Sequence, residues 1–347
     1  MKALGVVCGM VCVLARALPV DAQIGSIAKG LQKAQQVHDD LTFTDAEEQK
    51  LGADISAKLR DKYGVVQDQA VHKYVTLVGR ALAASSSRPS LSWTFIVLDT
   101  DGVNAFAAPG GFIHITRGAL ALLDNEAELA DVLAHEISHV VLKHTIKAIQ
   151  KEKVIALGAE ATRQDVLNQA ANRGYAILFE NAFDRKDEMD ADKGGVMLAA
   201  SLGYAPTGLG AFLARLADRD KDLKDRSGLF ASHPETQARL DGLTQVIKAN
   251  KLTATATVAP RFHEAIAFKP AEISGVPGSG QTRTGGKFGL SGLGPIGNEK
   301  TSNQTIASAG SRGVNPDRDA KGGPIKTLVV VTVTPAEITA FVKGIVG

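Results

Sequence analysis

Apolar and polar positions alternate along the first two thirds of the chain with two different periods, and those periods set the elements. Thr44-Asp45-Ala46-Glu47 reads as a capping box opening a helix to about Tyr63. Val71, Val75, Val78 and Leu82 recur at helical spacing, giving a second helix that ends in Ser85-Ser86-Ser87. Trp93 to Leu98 is rich in strand formers and stops at Asp99-Thr100-Asp101-Gly102. A turn-rich link, Asn104 to Gly111, leads into a second strand, Phe112-Ile113-His114-Ile115-Thr116. A short helix from Gly118 to Leu123 precedes an apolar-periodic helical run from about Asn125 to Ile149. Helices are expected again over 154–179, 188–202 and 207–216. A last one opens at Ser232-His233-Pro234 and turns Leu240, Leu243 and Ile247 inward. Two helices, two strands and then helices predict an α+β fold, a helical body carrying a small antiparallel sheet.

The two ends follow other patterns. Met1-Lys2 and the apolar run Ala3 to Ala15 have the length of a signal peptide, too short to span a bilayer comfortably. Val20-Asp21-Ala22 places cleavage after Ala22, so residues 1–22 are expected to be removed and the protein exported, to the periplasm or beyond. Cys8 and Cys12 are the only cysteines. The mature chain would therefore have no disulfide, thiolate ligand or thiol nucleophile. Residues 23–262 form the expected main domain, entered by a polar-rich leading helix over 23–41. From Val276 to Gly323, 12 of 48 residues are Gly, which marks a linker. Residues 324–347 then read as a βα tail. Leu328 to Val333 is its strand, Thr334-Pro335-Ala336-Glu337 its capping box, and Ile338, Phe341, Val342 and Ile345 its apolar stripe. That tail must dock on the main domain or on another chain, and for an exported protein a partner in the cell envelope is one candidate.

Composition narrows the function by exclusion. Of 347 residues 44% are hydrophobic and 22% charged, with a net charge of +2 and the two signs interspersed. Nothing there favours a nucleic-acid or membrane-surface partner. After the signal segment no apolar run approaches transmembrane length.

The chemistry lies in His135-Glu136-Ile137-Ser138-His139. Four residues along a helix advance 400°, so the two histidines share one face, one turn apart. Two imidazoles placed so can hold one zinc ion, while Glu136, about 100° round, is free to take a proton from water. Leu129, Val132, Leu133, Ile137, Val140 and Val141 bury this helix, and unpartnered buried imidazoles would be costly. A catalytic zinc needs a third protein ligand. Glu188 and Asp192 are four apart on one helical face, so one can bind zinc while the other accepts the far N–H of a liganding histidine. Glu188 is assigned to the metal and Asp192 to a place behind His135. On one continuous helix His144 lies 140° from His139 and points away. His38, His72 and His263 read as surface residues.

The pattern resembles the HtpX/BepA/Oma-type zinc metallopeptidases, the forty-eighth metallopeptidase family. The resemblance rests on His135 to His139, Glu188 to Asp192, Asn104 to Ala107 with Pro109-Gly110-Gly111, and Ser232-His233-Pro234 with Arg239. It covers about residues 41–248 and leaves out the Gly-rich stretch and the tail. It implies a zincin-like body with one Zn2+ per chain, acting on unfolded or misfolded proteins in envelope quality control. His233 matches a family position that can approach the zinc, as a fourth ligand or as an oxyanion group. Substrate is expected to extend along Phe112, Ile113, His114, Ile115 and Thr116 as an added strand at the sheet edge. A different class of function stays open, a chaperone or assembly factor that binds unfolded proteins and seldom cuts them.

Overall fold

Both strand regions are apolar on both faces, and the structure, a computed structural model, shows why. It describes residues 42–151, 162–180, 183–219, 233, 236–270, 317 and 319–346. Helices α1 (Asp45–Tyr63) and α2 (Gln69–Ala84) precede β1 (Thr94–Leu98), β2 (Ala105–Ala108) and β3 (Phe112–Thr116). Then come α3 (Arg117–Leu122), α4 (Glu126–Val141), α5 (His144–Lys151), α6 (Arg163–Glu180), α7 (Arg185–Ser201), α8 (Gly208–Arg219), α9 (Thr236–Ala249), α10 (Ala259–Ala265) and α11 (Pro335–Val346). Phe95 and Val97 of β1 and Ile113 and Ile115 of β3 join α2 and α4 in one apolar cluster. Ile96, Leu98, Phe106 and Phe112 join α1, α5 and α6 in another. The sheet is thus a buried layer between helices, and neither face alternates with polar residues.

The sheet differs from the expected one in two respects. It is mixed, with strand order β1-β3-β2, β1 parallel to β3 and β2 antiparallel to it. Phe112, Ile113, His114, Ile115 and Thr116 therefore form the central strand, not the edge, and substrate cannot add to them. The reason lies in the connections. Pro109–Gly111 makes a tight 3-10 turn, with Gly110 at φ 72° and Gly111 at φ 99°, that folds β2 back along one side of β3. The loop from β1 to β2 crosses the end of β3, where the buried Arg117 guanidinium pairs with Asp99 and Asp101. His114 is fully buried, its Nε2 2.9 Å from Ser56 Oγ, and reads neither solvent nor substrate.

Local signals place the helices well. At α1 the Thr44 hydroxyl accepts from the Glu47 N–H while the Glu47 carboxylate accepts from the Thr44 N–H, completing the capping box. Thr334 and Glu337 repeat that arrangement at α11. The tail's expected strand is absent. Residues 325–334 run without ladder pairing, tied down by Ile325 O accepting from Val65 N–H at 2.7 Å and Lys326 O accepting from Arg60 Nη1 at 2.7 Å. The described part of the tail docks on the body. Helix α11 packs on α2, burying Phe341 and Ile345, with Phe341 6.3 Å from the Tyr74 ring and under the Arg261 guanidinium at 3.9 Å. Burying such a side chain contributes about 2 kcal/mol. His72 is also inside, its Nε2 2.9 Å from Val66 O, rather than at the surface. The signal segment, the leading helix and nearly all of the Gly-rich stretch lie outside the described residues.

Candidate metal centre

Helix α4 is buried along nearly its whole length, and both ends are fixed. Asn125 caps it by accepting from the Glu128 N–H at 3.1 Å, and Glu126 accepts hydrogen bonds from the Tyr74 and Tyr204 hydroxyls, each at 2.7 Å. It ends at Val141; Lys143, with a left-handed φ of 58°, turns the chain, and α5 restarts at His144. One turn apart on its inward face, His135 Nε2 and His139 Nε2 lie 3.0 Å from each other.

Helix α7 brings the carboxylates. Asp184 caps it by accepting from the Asp187 N–H at 3.0 Å. Gly194 and Gly195 let it lie directly against α4. Glu188 Oε1 is 3.5 Å from His139 Nε2, and Glu188 Oε2 is 3.7 Å from His135 Nε2. His233 enters from the segment before α9, its Nδ1 2.8 Å from Glu188 Oε1 and 3.4 Å from His135 Nε2. One donor atom from each of His135, His139, Glu188 and His233 falls within 4.8 Å of all the others, and all four residues are buried. Glu136 is buried beside them, its Oε1 3.8 Å from His233 Nε2, and neither carboxylate oxygen has a hydrogen-bond partner among the described residues.

A second layer holds these groups in place. Asp192 Oδ1 lies 3.0 Å from His135 Nδ1, behind the ring. Arg239 of α9 donates to Asp192 through Nε at 2.8 Å and Nη2 at 2.6 Å, and its Nη1 lies 3.2 Å from Glu188 Oε2. Sequence reasoning placed Arg239 in a motif without giving it a partner. It also sent His144 away from the site, because it assumed one helix through Leu142. His144 is indeed not among the convergent donors, but the break at Lys143 brings its Nδ1 to 2.9 Å from His139 Nδ1, on the side of that ring away from the cluster.

Burial and neighbouring charge set the proton affinities. Burial, helped by the nearby imidazoles, holds His139 well below the usual histidine range and so neutral. Burial pushes the Glu136 carboxyl up, with His233 and His135 partly offsetting it. Burial opposes charge on both His233 and Glu188, yet their mutual contact outweighs it, raising the histidine and lowering the carboxyl. A cation fits here on chemical grounds. Three imidazoles and one carboxylate converge without sulfur, and a single divalent ion would satisfy lone pairs that otherwise face one another.

The arrangement has relatives. The model of "Peptidase family M48" matches residues 69–247. A "Beta-barrel assembly-enhancing protease" of Yersinia pestis is 26% identical over 243 residues, 64% of this chain and 49% of that protein. A "Mitochondrial metalloendopeptidase OMA1" of Arabidopsis thaliana is 34% identical over 142 residues, 41% of this chain and 29% of that protein. A "Metalloprotease LoiP" of Escherichia coli is 27% identical over 190 residues, 51% of this chain and 71% of that protein. The chain spans about half the length of the first of these relatives.

Proposed function

The chain belongs to peptidase family M48, and from that premise we propose that it is a zinc-dependent endopeptidase cutting unfolded or misassembled proteins of the cell envelope. One observation carries the reading. A buried carboxylate with no hydrogen-bond partner among the described residues, Glu136, stands beside four convergent metal donors. A buried acid kept free in that position suits a group that must accept a proton and give it back.

His135, His139 and Glu188 would hold one zinc per chain, with Asp192 fixing the orientation of His135. When bound, zinc supplies acidity to a water and polarises the scissile carbonyl. The rest falls to this chain. Glu136 Oε1 or Oε2 takes the proton from the attacking water and later delivers it to the leaving amine nitrogen as the C–N bond breaks. Its raised proton affinity eases the first transfer, and the buried surroundings keep bulk water from competing. The names of the relatives support peptide-bond cleavage, and "beta-barrel assembly-enhancing" supports an envelope setting. The signal-like start of the sequence supports export to the periplasm or beyond. Among the described residues no helix is long and apolar enough to cross a membrane.

The test uses the full chain with zinc and casein as an unfolded substrate. Cleavage by the wild type, lost by roughly 100-fold or more in Glu136→Gln at unchanged zinc content, is expected. A Glu136→Gln protein that cuts normally would sink the hydrolytic mechanism. Binding of casein without cleavage by the wild type would favour a chaperone.

A further inference from the structure

His144 is not one of the four convergent donors, yet it touches one of them. Its Nδ1 is 2.9 Å from His139 Nδ1, with the rings 4.8 Å apart and nearly perpendicular at 80°. On its far side Nε2 lies 3.6 Å from Asp187 Oδ1, an electrostatic contact rather than a hydrogen bond. His144 is buried, and the Phe183 ring packs at 4.3 Å from His139 and 6.1 Å from His144.

The proton positions follow from what each nitrogen faces. His139 turns Nε2 toward His135 Nε2 and Glu188, so binding a metal there requires a bare Nε2 and a hydrogen on Nδ1. Among the described residues the partner of that Nδ1–H is His144 Nδ1, which must then be the acceptor. The hydrogen of His144 is left on Nε2, facing the Asp187 carboxylate. The opposite arrangement would put a hydrogen of His139 among the metal donors. It would also set a bare His144 Nε2 against Asp187.

We infer that His144 is a positioning residue for the metal centre, accepting the His139 Nδ1–H and so holding that ring in the tautomer whose Nε2 binds the metal. It serves His139 as Asp192 serves His135, with a neutral acceptor in place of a carboxylate. This rests on the metal-centre reading above.

The experiment takes the full chain stripped of metal and titrates zinc alone against a chelator of known affinity. It compares wild type, His144→Leu and His144→Asn. The leucine variant should bind zinc 10- to 100-fold more weakly, the usual cost of losing such a partner. The asparagine variant, whose Oδ1 branches from the same carbon as Nδ1, should stay within about threefold of wild type. Imidazole nitrogen shifts in the metal-free wild type should show His139 protonated at Nδ1 and His144 at Nε2. Unchanged affinity in the leucine variant, or no rescue by asparagine when both variants melt like wild type, overturns the inference. His139 protonated at Nε2 overturns it too, and that measurement needs no variant. A wild type that takes up no zinc overturns instead the metal-centre reading, and the His139 tautomer still decides the hydrogen bond.

Discussion

Gly195 lies against the backbone of His135 with no space for a side chain. A Cβ at that position would stand 2.7 Å from His135 N and 2.9 Å from His135 Cα, both main-chain atoms held inside a buried helix. Their contact sets how far the carboxylate-bearing helix can stand from the histidine-bearing one, and so the distance from Glu188 to His135 and His139. Gly195→Ala should force α7 outward. Overpacking of this kind costs about 1–3 kcal/mol, or several degrees in Tm for a chain of this size. Calorimetry with zinc analysis should show both Tm and metal retention falling. A variant with wild-type values for both would mean that the helices part freely.

Metal content separates Glu188 from Asp192 on α7. Glu188 Oε1 and Oε2 face His139 and His233 on one side and His135 on the other, whereas Asp192 meets the metal cluster only through His135 Nδ1 and is held by Arg239. Glu188→Ala should therefore lose most of the zinc, as should His135→Ala and His139→Ala. Asp192→Ala should retain it with about 10- to 100-fold lower affinity. It also takes two hydrogen bonds from the buried Arg239 guanidinium, leaving Glu188 as its only carboxylate partner among the described residues, so a lower Tm should accompany the change. Full zinc in Glu188→Ala beside loss in Asp192→Ala would exchange the two roles.

Spacing along single helices carried much of this site, and it failed where the backbone departed from regularity. The four-residue intervals of His135 with His139 and Glu188 with Asp192 survive because α4 and α7 are regular through those residues. The contact of His144 with the far side of His139 is not legible, because Lys143 adopts a left-handed conformation that no β-turn or glycine signal announces. Arg239 stands 47 residues beyond its partner Asp192, and no periodicity links such a pair. The sheet shows a different limit. Strands buried on both faces read alike whether central or at an edge, so Phe112 to Thr116 could not be ordered against Thr94 to Leu98 from pattern alone. In the tail the β-branched run Val329 to Val333 overstated a strand, because no neighbouring strand lies beside it among the described residues.

Acid should weaken the fold through histidines remote from the metal. Burial holds the His114 pKa at about 3, against 6.5 for an ordinary imidazole, and His72 is shifted the same way. Above pH 6.5 neither the folded nor the unfolded state binds the proton. Between 6.5 and 3 the unfolded chain takes it up and the folded one does not, so stability falls as pH falls. From pH 7.5 to 5.0 His114 alone should account for about 2 kcal/mol. Urea unfolding of His114→Gln should show that much less acid destabilisation than wild type. An identical pH slope in the two proteins would rule out His114 as the source.

His233 sits where two opposed roles would both place it. Its Nδ1 is 2.8 Å from Glu188 Oε1 and 3.4 Å from His135 Nε2, and its Nε2 is 3.8 Å from Glu136 Oε1. An imidazole in that position can occupy the metal's fourth coordination place, which a substrate-activating water would otherwise need. The protein would then be latent until substrate draws His233 away. His233→Ala should in that case raise basal casein cleavage severalfold while His135, His139 and Glu188 keep the zinc. Alternatively the same ring, near Glu136, donates to the developing oxyanion, and its loss should lower the rate roughly 100-fold or more. We expect the increase. The donors' mutual approach puts His233 closer to the other ligands than to Glu136, and a group reserved for the oxyanion would have to stand clear of the resting cluster. Cleavage rate and zinc content measured on the same sample decide it. A fall in rate at full zinc would assign the ring to the oxyanion, and no change in either quantity would remove His233 from the chemistry.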